Sequence, residues 1–68
     1  MGAFVATLRT QVDLAQRSLA GAGDAGEVHR HSARLLDLLE RAAANGVDTA
    51  GWVPAEVVSA ASVAAGRA

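Results

Sequence analysis

The chain has no cysteine, no lysine and no tyrosine, and among its 68 residues there is one tryptophan, one phenylalanine and one proline. Without cysteine there is no disulfide, no zinc–thiolate site and no thiol nucleophile, and so small a core has no covalent staple. Without lysine, all six basic residues are arginines; seven acidic residues bring the formal net charge to −1. A chain with no basic excess exerts no general pull on nucleic acid or anionic lipid, and with so few aromatic rings it has no platform for base stacking. Nucleic acid and membrane are therefore not expected partners. No apolar run approaches the roughly twenty residues that a bilayer requires. The opening MGAFVATLRTQVD has no basic leader and is interrupted by Thr7, Arg9 and Thr10, so it does not read as a signal peptide. A cytoplasmic protein is expected. Alanine makes up about a quarter of the chain, and together with the exclusive use of arginine this fits a GC-rich coding sequence and a small bacterial protein.

What the sequence does contain is helical periodicity. DAGEVHRHSARLLDLLERAAANG, from Asp24 to Gly46, has a start signal, an apolar pattern and a stop signal in order. Asp24 and Glu27 have the spacing of a capping box, and Asn45-Gly46 closes the segment. At 100° per residue, Leu38, His31, Ala42, Leu35, Val28, Leu39, Ser32, Ala43 and Leu36 follow one another around an arc of roughly 160°. One neighbouring helix does not cover so wide an arc, so at least two partners are expected.

From about Gly2 to Ala20, Val5, Leu8, Val12, Ala15 and Leu19 recur at alternating spacings of three and four, the seam of a shallow helix–helix packing. Phe4 broadens that seam, and Leu14 projects away from it. Arg9, Asp13 and Arg17 form a row of alternating charge at i, i+4 spacing; on the second helix Arg34 and Asp37 stand at i, i+3 and Asp37 and Arg41 at i, i+4. Gly21-Ala22-Gly23 is short enough to make the two helices antiparallel neighbours, with Gly21 suited to a left-handed helix end. After Gly46 the chain is rich in turn formers up to Pro54, which suits the first position of a third helix. Trp52 is then placed to staple onto Val57, as an anchor packed on the third helix and part of the second. That helix, to about Ala65, offers mainly alanine and valine.

Constellations for chemistry are sparse. His29 and His31 stand at i and i+2 and point to different sides of a helix, whereas chelation needs i, i+3 or i, i+4; no metal and no cofactor are expected. His31 reads as a partly buried ring donating one hydrogen bond at a seam. Arg30, Arg34 and Arg41 share a side and could cradle a phosphate, diluted by neighbouring acids. The serines at 18, 32, 59 and 62 lack a nucleophile elbow, and Ser32 stands beside His29 and His31 by helical neighbourhood alone. Gly21, Gly23 and Gly26 match G-x-G-x-x-G, but after a helix instead of a strand. No catalytic residue is expected and the protein does not read as an enzyme.

The expected architecture is all-α and covers residues 1–68 as a single domain: an antiparallel helical hairpin plus a shorter third helix, in an oligomeric bundle. A chain of this length buries only about 60% of the surface its unfolded form exposes. By its spacing, the second helix has more leucine surface than two neighbours cover. Self-association through Val28, His31, Leu35, Leu36, Leu38 and Leu39 is therefore expected, as a homodimer or a dimer of dimers. The function favoured by this pattern is a non-catalytic assembly or adaptor module that works by helix–helix contacts and can engage a larger protein. The alternative is a small-ligand-binding or regulatory protein with a pocket at the subunit seam near His31 and Trp52.

Overall fold

The computed structural model describes residues 2–68, which form three helices: α1 (Gly2–Ala20), α2 (Ala25–Ala44) and α3 (Ala55–Ala64). α2 is the central element. α1 and α3 each pack against it and make no close backbone approach to one another, as its broad apolar arc requires. The core consists of Leu8, Val12 and Ala15 from α1, Leu35, Leu36, Leu38 and Ala42 from α2, and Ala61 from α3.

The start of α2 is fixed locally. Asp24 has extended backbone, and its Oδ1 accepts a hydrogen bond from the Glu27 N–H at 2.8 Å, which satisfies one of the orphan donors of the first turn. That bond is the main reason the Asp24 carboxyl titrates below its ordinary value. A carboxyl depressed in the folded state contributes stability above its unfolded value, near pH 4, and the contribution is lost as pH falls through the lower folded value. Acid titration followed by circular dichroism is expected to show less loss of helix below about pH 4 in Asp24→Asn than in the wild type, because asparagine caps without titrating.

The end of α2 is a Schellman turn. The Val47 N–H reaches Ala42 O at 2.9 Å and the Gly46 N–H reaches Ala43 O at 3.0 Å, with Gly46 at φ 72°, where a side chain would be strained. The Asn45 side-chain amide donates to Arg41 O at 2.8 Å. α3 ends the same way, through Gly66 at φ 74°, with the Arg67 N–H on Ser62 O at 2.8 Å. This second turn throws the Arg67 guanidinium across to α2, where it pairs with Asp37 at 2.6 Å and with Glu40. The hydrogen bond to Asp37 is the leading cause that holds the guanidinium above its ordinary pKa.

Several expectations need correction. Gly21 is not left-handed; α1 ends with the Gly21 N–H on Arg17 O and the Ala22 N–H on Leu19 O, so the reversal needs no positive φ there. Pro54 is the cap of α3 and not its first helical residue, because its ψ of 142° is extended. The staple position therefore falls on Val53, with Trp52 one residue further out. Trp52 is half-buried against the core and also faces α1, where the Arg9 guanidinium lies 5.5 Å from the ring centroid, a cation–π distance. Asp37 is taken by Arg67 in place of its helical neighbours Arg34 and Arg41.

The largest correction concerns the expected leucine surplus. Leu36 and Leu38, the two edges of the arc, are 7% and 3% exposed within a single chain, and Leu35 is fully buried. The second side of α2 is closed by α3 with Val57, Val58 and Ala61. Small side chains let that helix come close, so little side-chain volume suffices to exclude water. The leucines proposed for a subunit contact are used inside the chain, while Val28, His31 and Leu39 are half-buried.

Candidate functional site

Because α1 and α3 pack on α2 without a close backbone approach to one another, a cleft remains between them, of about 320 Å³. Its floor is Val28 and Ser32 of α2. Leu19 and Gln16 stand on the α1 side, and Val57, Ala60 and Ala61 on the α3 side, with Glu56 among the lining residues. The lining is mostly aliphatic, and Glu56 is its one charged side chain. α3 supplies valine and alanine at this wall, so the side chains fill less of the space between helices than leucines would.

Ser32 is the unusual member. It is fully buried, and its Oγ has no hydrogen-bond partner. A helical serine ordinarily returns its hydroxyl to the carbonyl four residues back, and burial without a partner costs on the order of 1–3 kcal/mol. The sequence pattern does place Ser32 inside the apolar arc of α2, between leucines. That position, a hydroxyl inside an apolar arc, is the signal the sequence carries for it.

The ligand seam expected between subunits near His31 and Trp52 is a different place from this cleft. Neither His31 nor Trp52 lines the cleft: Trp52 sits under Arg9, and His31 is half-buried on α2. The imidazole that makes a seam contact is that of His29, whose Nδ1 lies 3.0 Å from Ala64 O. A carbonyl only accepts, so this contact fixes the proton on Nδ1. The substitution of one histidine for the other has a simple cause: α3 crosses α2 on the His29 side at its C-terminal end, which periodicity along α2 alone does not specify.

Arg30, Arg34 and Arg41 do share a polar groove, of about 470 Å³, together with His29, Gln11 and Asp37. Arg67 engages Asp37, yet all three arginines are exposed and are spread along some eleven residues, about 16 Å of helix, so they do not converge on one anion. Among the described residues no three histidine, aspartate or glutamate side chains are gathered as a metal site, and no helix is long and apolar enough to cross a membrane.

Comparison with protein-family models, with curated proteins and with solved structures gives no match. The site is therefore read from its own chemistry.

Proposed function

We propose that the chain is a non-catalytic helical binding module whose working surface is the cleft between α1 and α3. The observation that supports this reading is the cleft itself: an aliphatic recess of ligand-pocket size with one buried hydroxyl on its floor. It replaces the seam near His31 and Trp52 as the place where a ligand is held. N-phenyl-1-naphthylamine, a neutral probe that brightens in apolar surroundings, tests it. The wild type is expected to brighten the probe saturably. Ala60→Phe, which places a ring into the cleft from an exposed position of α3, is expected to keep its helical circular dichroism and to lose that response. A wild type that leaves the probe dark, or a variant that brightens it equally, would refute the cleft as a binding surface.

The assembly reading has its own support in a different place. Leu14 is 55% exposed on the outer side of α1, beside the charges of Arg9, Asp13 and Arg17. An antiparallel pairing of two copies about an axis level with Ala15 sets each Asp13 against the other copy's Arg17, so the row is self-complementary. In this reading the module forms a homodimer through α1, and an adaptor role follows from presenting two clefts. Sedimentation over a range of concentrations decides it: the wild type gains mass with concentration and Leu14→Glu does not, whereas a wild type that remains monomeric removes the reading.

A further inference from the structure

Resting on the cleft as a binding surface, we infer that its guest is a small neutral lipophile carrying a single hydrogen-bonding group, a hydroxyl or a carbonyl, which meets the Ser32 hydroxyl. Three observations carry this. The first is size: about 320 Å³ lies at the small end of ligand pockets, which run from about 300 to 1,000 Å³, so the space suits a bicyclic body and excludes a long lipid. The second is polarity. Val28, Leu19 and Ala61 present carbon, and the one polar atom buried at the floor is an Oγ left without a partner. A pocket of this kind takes an apolar body and fixes its orientation through a few placed polar groups. The third is charge. Glu56 is the single charged lining residue and no arginine reaches the cleft, so a carboxylate or phosphate guest would enter a site with a repelling charge and no cation to receive it.

The Ser32 Oγ is shielded from solvent by the packing around it. A guest gains it by rotation of the serine side chain together with a small parting of α1 from α3. That parting separates no close backbone contact, since α1 and α3 approach α2 and not each other at the level of the backbone. The hydroxyl can donate to a carbonyl or ether oxygen and can accept from an alcohol, and both kinds of guest relieve a group that the empty fold leaves unsatisfied.

The test is competition against bound N-phenyl-1-naphthylamine by naphthalene, 1-naphthol and 1-naphthoate, in the wild type and in Ser32→Ala, with the thermal midpoint of each empty protein measured alongside. 1-Naphthol is expected to outcompete naphthalene in the wild type, and Ser32→Ala is expected to reduce that advantage by about 2- to 12-fold, the worth of one hydrogen bond, with little change for naphthalene. 1-Naphthoate is expected to compete worst. The empty variant is expected to melt at or above the wild-type temperature, because it no longer buries an unpartnered hydroxyl. The inference is overturned if naphthol and naphthalene compete equally, if their ratio is the same in Ser32→Ala, if naphthoate competes best, or if the variant melts lower, which would show that Ser32 already has a partner in the fold. A probe that binds neither protein removes the cleft as a binding surface and the inference with it. A probe that binds both, with no preference for the hydroxyl, removes only the guest assignment.

Discussion

Replacing Leu38 with glutamate is expected to abolish the helical fold at every protein concentration. Leu38 is 3% exposed inside the single chain, so the new carboxylate must be buried, be protonated, or force α2 away from its neighbours to reach the groove of Arg34 and Arg41 that Leu38 also lines. Each route costs several kcal/mol, and a domain of this length has on the order of 3–10 kcal/mol of stability to lose. The outcome separates two uses of the same residue. Were Leu38 a subunit contact on an otherwise folded protomer, the variant would remain helical and differ only in mass. Were it core, helicity falls and does not return when the protein is concentrated, since no association equilibrium is being shifted. Circular dichroism at low and high protein concentration, with sedimentation on the same samples, makes the distinction. A helical, monomeric Leu38→Glu protein would restore the leucine edge of α2 as an intersubunit surface.

The reason the sequence misplaces Leu36 and Leu38 is instructive. Periodicity along α2 correctly indicates an arc too wide for one neighbour, and α1 and α3 do flank α2. The width of an arc does not say whether its second neighbour belongs to the same chain. That depends on how closely α3 approaches, which valine and alanine decide by their smallness; counted as buried area, the same residues look inadequate. Local signals fared better. The Asp24 cap and the Asn45-Gly46 stop lie within a residue or two of the groups they bond, so the ends of α2 are legible without a tertiary model.

Features that depend on where α3 lies were not legible in the same way. The Arg67 pairs with Asp37 and Glu40 join residues 30 and 27 positions apart, and the contact of His29 with Ala64 O spans 35. A glycine just past the end of α3 was a readable cue for the Schellman turn, but not for the residues that Arg67 meets. The cleft belongs with these. It is a space left between two helices by a third, and only Ser32, a hydroxyl inside a leucine-rich arc, marks it in the sequence.

Leu35→Ala is expected to bring the protein close to unfolding without adding any charge. Leu35 is among the largest side chains that are fully buried, and it lies in the one cluster to which all three helices contribute. Truncation removes the transfer free energy of the lost carbons and leaves a cavity that the surroundings fill only in part, a combined cost of about 2–5 kcal/mol. The upper half of that range is favoured here because Val12 on α1, in the same core cluster, is itself fully buried and stays packed around the space. With roughly 3–10 kcal/mol available in total, such a loss moves the urea midpoint by about 1 M or more, taking a slope near 1–3 kcal/mol per molar. Leu14→Ala, measured dilute enough that any pairing of chains through α1 is dissociated, is the matched control. It removes the same atoms from a side chain that is 55% exposed, and its effect is expected to stay within about 0.5 kcal/mol. Equal midpoints for the two variants would mean that the interior around α2 is loose enough to collapse, and the account of α2 as a tightly covered central helix would fail with it.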